Sequence, residues 1–197
     1  MTNPAIPEIP GIEIQRLDAA AAETLTPQLI ELLRDAVDGG ASLGFWSPLA
    51  DDRARNYWQS VVADMRSGAL WLLVAQRAGE VVGSVQLAFS WKQNAARRAE
   101  VQKLMVHRQA RRQGIGQALM RAVERLAYDE GRTTLVLDTQ TGSDAERLYR
   151  ALGFIRVGEI PRYVIEADGV EYSTTVFYKA LGGALSSVAG AEMGVER

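Results

Sequence analysis

The chain has 197 residues and a formal net charge of −2, from 22 Lys and Arg against 24 Asp and Glu. That is long enough to bury a core as one domain, and too nearly neutral for a whole-molecule field that would draw nucleic acid or a membrane. It contains no cysteine and one histidine, His107, which excludes disulfides, thiolate metal sites and a cysteine-linked acyl intermediate and makes a histidine-based zinc site improbable. No basic-then-apolar leader opens the chain, and its longest apolar run, Ala69 to Ala75, is too short for a bilayer, so a cytoplasmic protein without a metal is expected.

Prolines at 4, 7 and 10 mark residues 1–10 as an extended arm ahead of a domain over 11–181. Ile12 to Leu17 reads as a short strand. Thr26-Pro27 reads as a helix start, cap and first-turn proline in order, with Leu29, Ile30, Leu33, Ala36 and Val37 as the buried face and Gly39-Gly40 as the stop. The run Ala41 to Pro48 is irregular yet aromatic, so Gly44, Phe45 and Trp46 are candidates for a pocket wall; two rings plugging the core between helices is the other reading. A second helix is expected from Asp52 to Ser67, with Tyr57, Val61, Val62 and Met65 inward. Leu70 to Gln76 and Val81 to Phe89 form a hairpin across Ala78-Gly79-Glu80, and Trp91 to Ala96 is a polar loop.

Arg97 to Glu130 carries the strongest signal. Val101 to His107 alternates as a strand, then a loop through Arg108, Arg111, Arg112, Gly114 and Gly116 enters a helix with Ile115, Leu119, Ala122, Val123 and Leu126 on one face. A strand, a glycine-containing loop and a helix N-terminus leave backbone N–H groups free to hold an anion. Three arginines crowd the positive end of a helix dipole, where acids are favoured, so a missing negative partner such as a phosphate is expected; a solvated basic loop is the plainer alternative. A dinucleotide fingerprint fails because Leu119 stands where a third glycine is needed, and a P-loop fails because Gln117 and Ala118 follow Gly116.

Thr133 to Asp138 is the next strand. Ser143 with Glu146 reads as a capping box opening a short helix whose inner side is Ala145, Leu148, Tyr149 and Leu152. Phe154 to Val157 is a strand, Pro161 interrupts, and Tyr163 to Glu166 turns at Asp168-Gly169 into Val170 to Lys179. Residues 182–197 have the composition of a disordered tail.

Arg111-Arg112-Gln113-Gly114-Ile115-Gly116, following Leu104-Met105-Val106, resembles the acetyl-coenzyme-A signature of the GNAT superfamily of N-acetyltransferases, Arg/Gln-x-x-Gly-x-Gly/Ala. The element order over roughly residues 11 to 180 is similar to that fold, as are KLMVHRQARRQGIGQALM, LDTQTGSDAERLYRALGF, VGEIPRY and the closing Thr-Val-Phe-Tyr-Lys. Within the superfamily the set looks most like the tabtoxin resistance protein branch. The resemblance implies an α/β (α+β) fold: a mixed, mostly antiparallel sheet of about seven strands, about four flanking helices and splayed central strands.

It also implies roles. Leu104, Met105 and Val106 would line the pantetheine arm, with the Val106 N–H toward the thioester oxygen. Arg111, Arg112, Gln113, Gly114, Ile115 and Gly116 would cradle the pyrophosphate of acetyl-CoA. Glu100, fourteen residues before Gly114, occupies the general-base position of several members, and Asp138 adds a second carboxylate. Each also has a local reading, Glu100 paired with Arg97 or Arg98 and Asp138 capping the following loop. Tyr149 would protonate the leaving thiolate, or else is a core residue with a satisfied hydroxyl. An asparagine that many members place after this strand is replaced by Thr139-Gln140-Thr141. His107 lies too far along for the acceptor. The implied activity is acetyl transfer from acetyl-CoA to a small-molecule amine, a toxin or antibiotic among the candidates, in a ternary complex. A protein N-terminus or lysine as acceptor and a non-catalytic acyl-CoA-binding module stay open, and the family tendency is toward homodimers.

Overall fold

The computed structural model describes residues 7–182. Most of the expected arm (residues 1–6) and nearly all of the expected tail (183–197) lie outside the described residues. Seven strands, β1 (Glu13–Leu17), β2 (Leu70–Arg77), β3 (Glu80–Phe89), β4 (Arg98–Val106), β5 (Thr134–Gln140), β6 (Ile155–Ile165) and β7 (Glu171–Ala180), make one sheet in the order β1-β2-β3-β4-β5-β7-β6. Every pairing is antiparallel except β4 with β5.

Five helices cover it: α1 (Ala19–Thr24), α2 (Thr26–Asp38), α3 (Asp51–Arg66), α4 (Ile115–Asp129) and α5 (Asp144–Ala151). Strand β2 shows how the layers form. Leu72 and Val74 face a core shared with Leu29, Leu33 and Trp58 of α2 and α3, whereas Leu73 and Ala75 face a second core with Leu119 and Val123 of α4. A strand buried on both faces reads as one continuous apolar run, which is what the sequence displays there. No helix among the described residues is long and apolar enough to cross a membrane.

The expected fold class holds, with local corrections. The fifth helix is α1, which the sequence reading did not separate. Asp18 caps it, its Oδ1 accepting from the Ala21 N–H at 2.8 Å. Thr26 is therefore the first residue of α2 and not a cap; its hydroxyl donates to the Ala22 carbonyl at 3.0 Å. Ser143 precedes α5 without capping it by its side chain, because its hydroxyl sits 3.2 Å from that of Thr139. Pro161 does not end β6. The strand runs through it with a register shift between Ile160 and Val164, and β6 is an edge strand, where a missing N–H leaves no ladder bond unmade.

Two features position the site. First, β4 and β5 pair only at Arg98↔Thr134, Ala99↔Leu135 and Glu100↔Val136, and then part. Second, β4 bulges against β3: Gln102 pairs with Gln86 and Met105 with Ser84, so Lys103 and Leu104 together oppose Val85. Lys103 takes φ of 50° at this point. A bulge bends and over-twists its strand, and here it coincides with the point where β4 leaves β5.

Candidate functional site

The gap between the diverging strands is a cleft of about 810 Å³, bounded by Glu100 to Val106 on one side, Asp138 to Ala145 on the other, Ala41 to Gly44 at one end, and Tyr149 and Arg111 deeper in. The His107 N–H donates back to the Val82 carbonyl of β3 at 2.9 Å. Strand alternation therefore turns the N–H and C=O of Val106 the other way, into the gap. Arg111 reaches into the same gap, its Nε donating to the Val106 carbonyl at 3.0 Å. Of the residues expected to line a pantetheine arm, Leu104, Met105 and Val106 all border the cleft, although the Met105 side chain is buried in the α2–α3 core.

The loop beyond departs from the charge argument. Arg108 is not short of an anion, because its Nε and backbone N–H both donate to Asp35 of α2 at 2.8 Å. Burial pushes the Asp35 carboxyl up, but the Arg108 hydrogen bonds outweigh it and hold the group below its ordinary value. Arg112 pairs with Asp144 at 3.0 Å, and Arg111 has the Val106 carbonyl. All three arginines thus have partners within the chain. What the loop does leave open is backbone: among the described residues no acceptor takes the N–H groups of Arg112 to Gln117, and the first bond into α4 is from Ala118 to Gly114 at 3.0 Å. Gly114 precedes the helix at φ of 82°, with no side-chain cap. Ile115 is buried in the core, Gln113 and Gly116 lie on the loop and the first turn, and none of residues 112–116 lines the cleft itself.

Glu100, Gln102 and Asp138 lie on the sheet face that carries α1–α3, opposite the neighbours Val101 and Leu137 that pack toward α4. Glu100 accepts from Gln102 Nε2 at 2.8 Å and forms no ion pair with Arg97 or Arg98 among the described residues. Asp138 accepts from the Thr174 hydroxyl at 2.8 Å and does not cap the 139–142 loop. Both carboxylates border the cleft.

Tyr149 approaches from the other face. On α5 it is only 6% exposed, with its ring 5.8 Å from that of Phe154 and 6.1 Å from that of Phe177. None of the described residues hydrogen-bonds its hydroxyl. Burial, with the nearby Asp138 charge, pushes the phenol well above its ordinary value, so it is protonated at neutral pH.

Of the aromatic pair, Phe45 packs edge-on to Tyr57 with centroids 5.3 Å apart, inside the α2–α3 core. Trp46 is 59% exposed and its indole N–H donates to the Ile165 carbonyl of β6 at 2.9 Å, tying the α2–α3 loop to the far edge of the sheet. Gly44 borders the cleft; Phe45 and Trp46 stand behind and beside it.

Lys103 went unremarked in the sequence. Its ammonium lies 2.5 Å from the Leu43 carbonyl and 5.7 Å from the ring centroids of both Phe45 and Tyr57, and it borders the cleft. The available signal was a charged residue in the middle of a central strand, a position that normally excludes one.

The Acetyltransferase (GNAT) family model matches residues 28–154. The chain is 40% identical over 106 residues to N-acetyltransferase 8 of Rattus norvegicus, covering 51% of this chain and 45% of that one. To the Homo sapiens N-acetyltransferase 8 it is 35% identical over 96 residues, covering 48% and 41%. It therefore spans less than half the length of these curated relatives. Among solved structures it is similar to a ribosomal-protein-alanine N-acetyltransferase from Brucella melitensis, with TM-score 0.71, 26% identity and coverage of 86% of this chain and 99% of that one. A phosphinothricin acetyltransferase from Sinorhizobium meliloti in complex with AcCoA superimposes with TM-score 0.68 at 20% identity, covering 87% and 89%. At that identity the likeness is one of fold.

Proposed function

The chain belongs to the acetyltransferase (GNAT) family, and from that premise we propose that it moves an acetyl group from acetyl-CoA directly to an amine of a small molecule within a ternary complex. One observation carries the reading: the slot where β4 and β5 part has an inward-turned Val106 N–H at its middle, two carboxylates toward one face and a protonated Tyr149 toward the other. Acyl transfer to an amine needs a base for the amine proton, a donor for the carbonyl oxygen and a partner for the departing sulfur, in that spatial sequence.

In this reading the acetyl-CoA pyrophosphate rests on the open N–H groups of residues 112–116 at the start of α4, and the pantetheine arm follows Leu104 to Val106 into the slot. The amine loses its proton to Glu100 or Asp138, directly or through water, as its nitrogen bonds to the carbonyl carbon. The Val106 N–H receives the negative charge that gathers on the carbonyl oxygen. The carbon–sulfur bond then breaks toward Tyr149. An ordinary thiol has a pKa of about 8.5, below that of this buried phenol. Tyr149 therefore acts as a hydrogen-bond donor that stabilises the leaving thiolate, more than as an acid strong enough to protonate it outright. With no cysteine in the chain, an acyl-cysteine relay is not an option, which supports direct transfer. The likeness to the tabtoxin resistance branch and the walled end at Ala41 to Gly44 support a small acceptor.

The test is thiol release from acetyl-CoA against a panel of amines, amino acids, amine-bearing antibiotics and peptides. Turnover on small amines is expected. Turnover on peptides alone would move the reading to a protein acceptor, and acetyl-CoA binding without turnover on any member would replace the enzyme by a binding module.

A further inference from the structure

The acceptor side of the slot contains a charge that the transfer chemistry does not require. Lys103 rises from the bulge of β4 beside Glu100 and Asp138, and three of its surroundings define its state. The Leu43 carbonyl takes one of its three N–H donors, at 2.5 Å. The faces of Phe45 and Tyr57, each 5.7 Å away, favour a cation. Among the described residues no carboxylate pairs with it. Burial depresses its pKa while Asp138 opposes that shift.

For a plain cationic amine such a residue is unfavourable, since it repels the acceptor from a cleft whose carboxylates attract it. A half-buried ammonium with donors to spare is complementary to an anion. Resting on the acetyltransferase reading above, we infer that the acceptor is an amine that also bears a carboxylate or similar anionic group. The Lys103 ammonium receives that anion while the amine faces Glu100 and Asp138. An amino-acid-like molecule satisfies both ends at once; a simple alkylamine satisfies only one. The bulge is what permits this, because it places Lys103 on the same sheet face as Glu100 and Gln102, where strict alternation would have sent it to the other.

The experiment uses matched acceptors, amino acids with their amides and their decarboxylated amines, on the wild type, Lys103→Met and Lys103→Arg. The wild type is expected to favour the free acid over its amide and its amine by at least about tenfold in kcat/KM. Lys103→Met loses about tenfold or more on the acid, chiefly through KM, changes the amine by less than about threefold and leaves acetyl-CoA affinity intact. Lys103→Arg restores part of the preference. A wild type indifferent to the carboxylate overturns the inference. So does a Lys103→Met variant that loses acid and amine alike, since that is the signature of a lysine that merely fastens the Leu43 loop. If no member of any set releases thiol, the acetyltransferase reading itself fails and the inference falls with it, a result distinct from turnover without preference.

Discussion

Replacing Gly114 by alanine separates what the fold asks of the loop from what the coenzyme asks of it. Gly114 sits at φ of 82°, in the left-handed region. An L-residue there costs roughly 1–2 kcal/mol, and for a domain of this size each kcal/mol moves Tm by about 2–4 °C, so the unliganded variant should melt about 2–8 °C below the wild type. Steric conflict adds little, since an added Cβ would lie 3.6 Å from its nearest neighbour, Ile9 Cδ1. Gly116→Ala is the control: its Cβ would meet Leu148 at 3.5 Å and Val106 at 3.7 Å, ordinary contacts, with no positive φ. It should stay within about 0.5 kcal/mol of the wild type. Acetyl-CoA at one hundred times its Kd adds about 2.7 kcal/mol of stability to a protein that binds it only when folded, and at that same concentration a tenfold loss of affinity leaves about 1.4 kcal/mol and a hundredfold loss about 0.4. Thermal melts with and without acetyl-CoA, together with calorimetric Kd values, read both quantities. If valine at both 114 and 116 leaves acetyl-CoA affinity at the wild-type value, the pyrophosphate does not sit on this loop and the reasoning is refuted.

Glu100→Gln and Asp138→Asn should each lower kcat with acetyl-CoA affinity unchanged, and the main base should be the one whose loss reaches about 10²–10⁴-fold; unchanged kcat in both rules out the pair. Tyr149→Phe should reduce kcat while costing less than about 1 kcal/mol of stability, because its hydroxyl has no protein partner to abandon; a larger loss in urea titration would mean a structural hydroxyl. Asp35 titrates below its ordinary value of 3.8, so its pairing with Arg108 stabilises fully above that pH and fades as pH falls through the lower folded value. Asp35→Asn should be less stable than the wild type at pH 7, and the two unfolding midpoints should draw together as pH falls below 3.8; a difference that stays constant on going below that pH would contradict this.

The signature loop, the amphipathic helix after it and the strand before it were legible because each is a local pattern: alternation, a 3.6-residue period, glycines at a helix start. Glu100 and Tyr149 came instead from the resemblance, and both border the cleft. What stayed hidden depends on distance along the chain. Asp35 and Asp144, which neutralise Arg108 and Arg112, stand 73 and 32 residues away, and no local rule pairs them. The crowded arginines therefore give no support to an anion site, and the proposed pyrophosphate site rests on the free N–H groups of the same loop, the other half of the local pattern. The bulge at Lys103 was invisible because a register shift leaves no mark in one strand's sequence; it is a property of two strands. Pro161 was read as a break because its tolerance comes from edge position, which only the strand order reveals.

The gap between β4 and β5 is lined from both faces of the sheet, by Glu100 and Asp138 on one and Tyr149 on the other, and that has a kinetic consequence. On the proposed arrangement the two reactants come in by separate doors and meet in the middle, so neither blocks the other's path. Initial-rate plots against either reactant should then intersect, not run parallel. An inert acceptor analogue should fail to be displaced by excess acetyl-CoA, and the traffic of two molecules would be set by a place where two strands stop holding hands.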